Sequence, residues 1–294
     1  MRKSFPQAEL AVATGAAPVR WELVIGRGYA RNTHHWHVEL DDGRRAFVKD
    51  ALDVVAAEWL RAEHCIYHSV DAPFVPGLLG WYDDGTTLIA IEDLTDAHWP
   101  PPWTPDQIKA VRATLGLVGS TRPPAGLRRL EGLRDWLDGW PAIAADREPV
   151  LSTGLCSRGW LDKALPRLRE AAATCELAGE ELLHLDVRSD NLCFLDGRVL
   201  LVDWNHACVG NALLDLVAWL PSLHLEGGPT PWELVPNSRG FAALMAGFFA
   251  SRAGLPPPPT APNVREFQRR QAEVALGWAA RELDLPAPER PAKS

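Results

Sequence analysis

The sequence predicts an α+β protein in which an N-terminal antiparallel sheet precedes a mostly helical region. Apolar segments of strand length, separated by Asp-Asp-Gly turns, fill the first part of the chain, and apolar residues with helical spacing dominate the rest. The chain has 294 residues, of which 47% are hydrophobic, so each part is large enough to form a core. We therefore expect a sheet lobe over 1–94, a helical lobe over 95–285 and a flexible tail over 286–294.

Five strands and one helix are predicted in the N-terminal lobe. The strands are expected at 19–25, 34–40, 44–49, 78–82 and 86–91. Asp41-Asp42-Gly43 and Asp83-Asp84-Gly85 join two pairs of strands as hairpins, because Asp and Gly tolerate the left-handed backbone of tight turns. Between these hairpins, the apolar residues of 53–68 recur with the spacing of a helix. The predicted order is β-β-β-α-β-β.

Helices dominate the prediction beyond residue 95. Thr104 and Pro105 begin the first of them, as N-cap and first helical residue. The predicted helices span 105–118, 127–138, 159–177, 211–220, 238–252 and 264–283. A strand hairpin between 192 and 203, turned by Asp196-Gly197, interrupts this helical region.

Composition and charge argue against several classes of protein. The formal net charge of −8 disfavours a nucleic-acid-binding protein, which needs a basic surface. The five cysteines are scattered without a C-x-x-C pair, so neither a disulfide framework nor a cysteine zinc site is expected. No apolar stretch has the length of a membrane span, and the N-terminus lacks the apolar core of a secretory signal. We expect a cytoplasmic protein that binds neither nucleic acid nor membrane.

The strongest chemical signal is the segment from His184 to Asn191, which reads H-x-D-x-x-x-x-N with Asp186 at its third position. Twelve residues after Asn191, Asp203 ends an apolar strand. In phosphoryl transfer a carboxylate orients the attacking hydroxyl and accepts its proton, and Mg²⁺ binds carboxamide and carboxylate oxygens. The segment therefore indicates phosphoryl transfer, with a surface loop of common polar residues as the alternative.

This segment resembles the catalytic loop of protein kinases and, with its D-W-N ending, that of the aminoglycoside phosphotransferases. The resemblance implies a bilobal protein-kinase-like fold that binds ATP and Mg²⁺ between its lobes. It makes Asp186 the catalytic base, and Asn191 and Asp203 the magnesium ligands. Arg188 stands where protein kinases have a lysine that contacts phosphate, and His184 braces the loop. An ion pair with a nearby acid is the alternative role of Arg188.

The same resemblance implies a phosphate-binding lysine in the N-terminal lobe. Lys49, which ends the run A-F-V-K, resembles that lysine, and its partner should be a glutamate on the following helix. Glu63 fits the family pattern better than Glu58. Gly26 and Gly28 resemble the glycine loop over the ATP phosphates, although only two of its three glycines are present. No Walker A sequence occurs, which counts against a P-loop NTPase.

Two further segments resemble supporting parts of these enzymes. Residues 88–94 resemble the strand into the interlobe hinge, where the carbonyl of Glu92 and the amide of Leu94 would bind adenine. Asp215 resembles the acid that anchors the catalytic loop. Neither an A-P-E element nor a long activation segment separates Asp203 from the helix of Asp215, which disfavours a peptide substrate.

We expect an ATP-dependent phosphotransferase that acts on a hydroxyl of a small molecule. Enzymes that this chain resembles phosphorylate aminoglycosides, macrolides, choline, homoserine or ketosamines, and the resemblance does not decide among these substrates. A role in antibiotic resistance is therefore one of several expectations. Glu226 and Glu233 are candidates to bind a cationic substrate, with ordinary surface solvation as the alternative. The rival function is a degenerate, non-catalytic nucleotide-binding module.

Two histidine pairs have spacings that metal sites also use. His35 and His37 share a strand face, and His64 and His68 lie four apart on a helix. An alternating strand after a glycine loop accounts for the first pair, and the zinc motif H-E-x-x-H is absent from the second. Ordinary strand and helix faces explain both pairs.

Overall fold

The computed structural model describes residues 4–24, 32–259 and 261–289. The chain forms two units, and neither is continuous in sequence. The sheet unit comprises Met1–Pro100, Pro123–Gly126 and Ser189–Ala207, and the helical unit comprises Pro101–Arg122, Leu127–Arg188 and Cys208–Ser294. The predicted fold class, an antiparallel N-terminal sheet with a mostly helical remainder, is confirmed. The lobe boundaries at residues 94 and 285 stay a prediction.

Helices and strands follow one another along the chain in an order close to the predicted one. The described strands are β1 (Pro18–Leu23), β2 (Thr33–Leu40), β3 (Arg45–Ala51), β4 (Leu78–Asp84), β5 (Thr86–Glu92), β6 (Arg128–Arg129), β7 (Glu181–Leu183), β8 (Leu192–Leu195), β9 (Arg198–Leu201) and β10 (Cys208–Gly210). The described α-helices are α1 (Gln7–Thr14), α2 (Val54–Ser69), α3 (Pro105–Ser120), α4 (Arg134–Leu137), α5 (Trp140–Ala145), α6 (Glu148–Ser152), α7 (Arg158–Ala173), α8 (Leu213–Leu225), α9 (Pro231–Leu234), α10 (Arg239–Ala253) and α11 (Val264–Glu282).

The main sheet of the sheet unit is entirely antiparallel, with the strand order β1-β2-β3-β5-β4. One of its faces packs against α1, a helix that was not predicted. Leu10 of α1 is buried in an apolar cluster with Trp36 and Val48. Gly80 of β4 allows this close approach, because a Cβ at that position would lie 2.7 Å from the carbonyl oxygen of Ala13.

Helix α2 also packs on this sheet, contacting β3, β4 and β5. It begins after Asp53, whose carboxylate accepts a hydrogen bond from the main-chain N–H of Ala56 at 2.8 Å. The buried face of α2 includes Leu60, Glu63 and Tyr67, at intervals of three and four residues. A glutamate on an otherwise apolar buried face requires a partner, and the candidate active site supplies it.

Strands β8 and β9 form the predicted hairpin. Asp196 and Gly197 have φ values of 50° and 76°, as expected for the central residues of a type I′ turn. The main-chain N–H of Leu201 donates to the carbonyl of Phe74 at 2.8 Å. The hairpin therefore belongs to the sheet unit, although about half of the helical unit lies between it and the preceding strands of the sheet unit in sequence.

In the helical unit, α10 contacts α4, α5, α6, α7, α8 and α11. The indole N–H of Trp140 donates to the carbonyl of Ala243 in the buried centre of this helix, at 2.8 Å. Gly247 leaves room for the same indole, since a Cβ there would lie 2.6 Å from its nitrogen. A small sheet of order β6-β10-β7 completes the unit.

The helix predicted over 127–138 is wrong. Arg128 and Arg129 instead form β6, which pairs in parallel with β10, and a 3₁₀ turn over Leu130–Leu133 leads into the short helix α4. Leu130 is fully buried against Gly210 of β10. Long-range pairing thus overrides the local helical spacing. Among the helices of the described ranges, none is both long and apolar enough to cross a bilayer.

Candidate active site

A buried charge cluster lies on the sheet unit. Nζ of Lys49 is 2.8 Å from Oε2 of Glu63 and also contacts Oδ1 of Asp203. The side chains of Lys49 and Glu63 are each 5% exposed, whereas that of Asp203 is 40% exposed. One cation therefore contacts two carboxylates, and only one of these remains accessible to water.

Strand register and helix periodicity bring these three residues together. Lys49 lies in β3, between its partners His35 of β2 and Ile89 of β5. Glu63 lies on the buried face of α2, whereas Glu58 is exposed. Of the two glutamates considered in the sequence, the structure brings Glu63 to Lys49.

Burial and charge shift the pKa values of this cluster in a consistent way. Burial alone would lower the pKa of Lys49, but the charges of Asp203 and Glu63 outweigh it and hold the value above the usual one. Burial raises the pKa of Glu63 against the opposing influence of Lys49. The pKa of Tyr67 is raised well above its usual value by burial and by the charges of Glu63 and Asp203. Lys49 is therefore a fixed cation at neutral pH.

Asn191 and Asp203 stand at the open end of the β8–β9 hairpin. The main-chain N–H of Val202 donates to the carbonyl of Asn191 at 2.9 Å, which extends the hairpin ladder by one step. Asn191 is 1% exposed, and Asp203 has a left-handed backbone with φ 63°. This ladder fixes the main chain of Asn191 beside the residue that precedes Asp203.

The donor set at this hairpin end fits Mg²⁺. Carboxamide and carboxylate oxygens are hard ligands, and Mg²⁺ in nucleotide enzymes commonly takes one or two protein ligands together with phosphate oxygens and water. Among the described residues, no group of three or more His, Cys, Asp or Glu side chains is arranged to hold a metal ion.

Two histidines on the Lys49 face of the sheet were not predicted as functional. His35 pairs across the strands with Lys49, and its ring centroid lies 5.5 Å from that of Phe47. Burial and the Lys49 charge lower the pKa of His35 to about 4, so the ring is neutral at pH 7. His37 is the cross-strand partner of Phe47, with ring centroids also 5.5 Å apart, and its Nδ1 lies 3.1 Å from Oδ1 of Asp93. The result is a half-buried aromatic row beside Lys49.

The predicted hinge lies at the end of β5, where the side chain of Glu92 and the main chain of Leu94 contact different parts of the sheet unit. The carboxylate of Glu92 accepts the N–H of Gly77 at 3.1 Å and lies 3.7 Å from Arg198. The carbonyl of Leu94 accepts hydrogen bonds from Ala97 and Trp99. No acceptor for the N–H of Leu94 occurs in the described part of the chain, although this residue is only 6% exposed. A buried main-chain donor of this kind usually has a partner, which a bound ligand can supply.

Two further sequence-based interpretations concern the glycine loop and the second histidine pair. Gly26 and Gly28 lie outside the described residues. His64 stacks on Trp81 at a centroid distance of 4.3 Å and on His68 at 5.4 Å. Packing between rings accounts for this second histidine pair.

In the helical unit, Asp215 holds the main chain that leads to Asp186. Its two carboxylate oxygens accept the N–H groups of His184 and Leu185, each at 2.7 Å. Leu185 has a left-handed φ of 65°, which is strained for a leucine. Burial raises the pKa of Asp215 to about 7, against the two N–H groups that lower it. These two bonds fix the unusual backbone immediately before Asp186.

Asp186 and Arg188 lie at the end of the same segment. Nε of Arg188 is 3.4 Å from Oδ1 of Asp186. Nδ1 of His184, a fully buried residue, lies 3.2 Å from the N–H of Asp186. The structure thus brings together His184, Asp186, Arg188 and Asp215 in the helical unit, and Lys49, Glu63, Asn191 and Asp203 in the sheet unit.

Comparison with known proteins identifies the fold. No protein-family model matches the sequence, and no curated protein matches it. Solved structures do match over nearly the whole chain. Aminoglycoside phosphotransferase APH(4)-Ia, in a complex with AMP-PNP and hygromycin B, has a TM-score of 0.59 and 15% identity, and the alignment covers 95% of this chain and 97% of that one.

Solved structures of kinases that are named for other substrates resemble this chain to a similar extent. Macrolide 2′-phosphotransferase MphH of Brachybacterium faecium has a TM-score of 0.55 and 16% identity, with 95% of this chain and 97% of that chain covered. A choline/ethanolamine kinase family protein of Mesorhizobium loti has a TM-score of 0.56 and 16% identity, with 92% and 98% covered. The chain has the protein-kinase-like fold of these small-molecule kinases.

Proposed function

We propose that this chain is an ATP-dependent phosphotransferase that transfers the γ-phosphate to a hydroxyl group of a small molecule. The observation that carries the proposal is the contact of Lys49 with both Glu63 and Asp203 on one unit. A lysine fixed in this way beside a carboxylate and a carboxamide suits a magnesium-bound triphosphate. The likeness in fold to aminoglycoside, macrolide and choline/ethanolamine kinases supports the same reaction class.

In this proposal the sheet unit binds the nucleotide. Lys49, held by Glu63, binds phosphate oxygens, and the N–H of Leu94 and the carbonyl of Glu92 bind the base. Gly26 and Gly28 would cover the phosphates. Asn191 and Asp203 would hold Mg²⁺, which neutralises negative charge on the phosphate oxygens when bound.

The helical unit orients the acceptor. Asp186 would accept a hydrogen bond from the substrate hydroxyl and take its proton as the oxygen attacks the γ-phosphorus, while the bond from that phosphorus to the bridging oxygen breaks and ADP leaves. Asp215 and His184 position Asp186 through the main chain. Arg188 keeps Asp186 oriented and supplies a fixed positive charge near the transferred group.

We further propose an amino-bearing substrate, and the contacts of the two acids considered for it support Glu226 rather than Glu233. Oε2 of Glu233 accepts hydrogen bonds from the N–H and the hydroxyl of Thr230, so this carboxylate caps its own helix. Oε2 of Glu226 accepts the indole N–H of Trp103 at 2.8 Å, and Trp103 packs on Trp219 at a centroid distance of 5.2 Å. A carboxylate beside an aromatic ring suits an ammonium group. We therefore assign Glu226, rather than Glu233, to the substrate.

ADP release in the presence of ATP and Mg²⁺, with a panel of amino sugars and amino alcohols, tests the reaction. Asp186→Asn should lower kcat by roughly 10²- to 10⁴-fold while the affinity for ATP is kept, because only the proton acceptor is lost. Asp196→Asn is the matched control, since asparagine suits the same hairpin turn. Full activity of Asp186→Asn would remove this residue from its proposed role. Nucleotide binding without transfer to any acceptor would favour the non-catalytic module.

Glu226→Gln tests the substrate class separately. We expect a KM increase of roughly tenfold or more for amino-bearing acceptors, because a charge-assisted contact is lost, and an unchanged KM for ATP. Glu233→Gln is the control, since glutamine at this position still completes a capping box. Equal KM values for Glu226→Gln and the wild type would exclude Glu226 from the acceptor site.

A further inference from the structure

Strand β1 forms one edge of the main sheet and is exposed on both faces. Among the described strands, its only hydrogen-bonded neighbour is β2. A strand that covers a core on one face normally alternates between buried and exposed residues. In β1, by contrast, four consecutive residues from Val19 to Glu22 are exposed. They include two large apolar side chains, since Val19 is 60% exposed and Trp21 is 37% exposed.

Part of the main chain of β1 points away from the described sheet. The N–H of Val24 donates to the carbonyl of His35 at 2.8 Å, and the register against β2 is regular from Trp21 to Leu23. Main-chain groups of an edge strand point alternately toward and away from its neighbour, so Glu22 and Val24 bond to β2. The N–H and C=O groups of Trp21 and Leu23 therefore point away from it. An edge of this kind is a template for a further strand.

The side chains of β1 are apolar on one face and charged on the other. Val19, Trp21 and Leu23 share one face, because successive side chains of a strand point to opposite sides. Arg20 and Glu22 share the other face and carry opposite charges. About a two-fold axis at Trp21, an antiparallel second β1 would place Arg20 opposite Glu22 of the second copy. Val19 would then face Leu23, and Trp21 would face its own equivalent, so that every cross-strand pair is favourable.

Charge selects this register over its neighbour. Pro18 and the register shift between Pro18 and Arg20 discourage pairing at the start of β1, but they do not extend beyond Arg20. An axis at Glu22 would place this acid opposite its own equivalent, and like charges directly opposite destabilise a sheet. The axis at Trp21 has no such conflict.

We propose that β1 is an interface between two copies of this chain, joined as antiparallel edge strands about a two-fold axis at Trp21. Main-chain hydrogen bonds would join the two sheets, and two pairs of Arg20 with Glu22 would form on the charged face. An interface that uses the same surface on both copies closes on itself and gives a dimer. Only one short strand of each copy takes part, so the dimer should dissociate on dilution. The interface contains none of the residues assigned above to nucleotide or acceptor.

Sedimentation velocity of the full chain over a wide range of protein concentration tests the interface. The wild type should show a dimer that grows with concentration. Arg20→Glu and Glu22→Arg should each raise the dissociation constant of the dimer by roughly tenfold or more, because each variant places like charges opposite each other in two symmetric pairs. The double variant Arg20→Glu/Glu22→Arg should restore a dissociation constant near that of the wild type.

Glu39→Gln is the matched control for these charge changes. Within one chain, Nη1 of Arg20 lies 3.5 Å from Oε1 of Glu39, and both side chains are exposed. The control removes this partner of Arg20 but leaves the charges of the interface unchanged, so its dissociation constant should equal that of the wild type. Thermal unfolding of each variant shows that it folds.

Cysteine cross-linking tests the register separately. In a hydrogen-bonded antiparallel pair, the Cα atoms of opposite residues lie about 5.5 Å apart, which a disulfide can span. Trp21→Cys should therefore form a linked dimer on mild oxidation. Val19→Cys, on the same face, should not, because it would face Leu23 of the second copy. The wild type, treated in parallel, measures any linkage through the native cysteines.

Several results would overturn the proposal. A monomer at every concentration would do so, and the exposed edge would then be open to an extended segment of another protein. A dimer that is equally stable in the wild type, Arg20→Glu and Glu22→Arg would place the interface elsewhere. A double variant that does not recover the dimer, or linkage by Val19→Cys without linkage by Trp21→Cys, would reject the axis at Trp21. None of these measurements depends on phosphotransferase activity.

Discussion

Replacing Lys49 with methionine tests the charge cluster on which the proposed function depends. The variant keeps the length of the side chain but leaves Glu63, which is 5% exposed, without a counter-charge. Removing one partner of a buried ion pair costs about 3–5 kcal/mol. Asp203 adds little to this cost because its side chain is 40% exposed and can be hydrated. We expect the free energy of unfolding to fall by about 3 kcal/mol near pH 7.5.

The pH dependence of this loss follows from Glu63. Without Lys49, burial and the charge of Asp203 remain, and both raise the pKa of Glu63, so the value in the variant lies above that in the wild type. A carboxyl group with a raised folded-state pKa holds its proton longer in the folded chain, so stability is lost as pH rises. The difference between variant and wild type should therefore widen with pH, by at most about 1.4 kcal/mol per pH unit.

Urea unfolding of both proteins between about pH 6 and pH 8.5 measures this difference. Glu63→Gln should cost only about 1–2 kcal/mol, because the amide still accepts a hydrogen bond and Asp203 still neutralises Lys49. The exposed Glu58→Gln, on the same helix, should cost less than about 0.5 kcal/mol. A loss for Lys49→Met no larger than that for Glu58→Gln, or a difference that shrinks with rising pH, would refute the reasoning.

Three further predictions concern other parts of the chain. Asp215→Asn can accept only one of the two N–H groups at 2.7 Å, so kcat should fall by roughly tenfold or more while the Kd for ATP is kept, as steady-state and binding assays will show. Four of the five cysteines are buried, and burial raises the pKa of their thiols to about 11–12, whereas Cys65 is only partly buried. A thiol reagent at pH 8 should therefore label Cys65 alone in the native protein and all five cysteines in urea. His35 has a pKa of about 4 in the folded chain, so on acidification its imidazole gains a proton in the unfolded chain first, and the wild type loses stability. His35→Gln removes this group and should avoid about 2–3 kcal/mol of that loss between pH 7 and pH 4.5. Urea unfolding of both proteins at the two pH values measures the difference.

Turn residues and the spacing of apolar residues were enough to predict the hairpins and most of the long helices from the sequence. The turn Asp41-Asp42-Gly43 fixes the pairing of Leu40 with Arg44, and this register places His35 opposite Lys49. Once the two strands are assigned, the turn alone therefore predicts that His35 is the cross-strand neighbour of Lys49. Tyr67 was implied in a similar way, because a residue four positions after Glu63 lies on the same helix face.

Other features depend on contacts that a single sequence does not reveal. Helix α1 has apolar residues without a clear helical stripe and is stabilised by its packing on β4 and β5. Strand β6 forms because it pairs with β10, eighty positions later in the chain. Glu233 was a candidate for the substrate, yet its carboxylate caps its own helix through Thr230. A short capping signal within 230–233 could have indicated this from the sequence.

The division of the chain between two units gives the motif from His184 to Asn191 two separate anchors. The boundary between the units falls after Arg188, so Asp186 is fixed within the helical unit by Asp215, whereas Asn191 is fixed within the sheet unit by the β8–β9 ladder. The spacing of the motif therefore reflects two independent requirements. In the proposed reaction, the first part would position the proton acceptor Asp186, and the second part would bring the carboxamide of Asn191 to the hairpin end that holds Asp203.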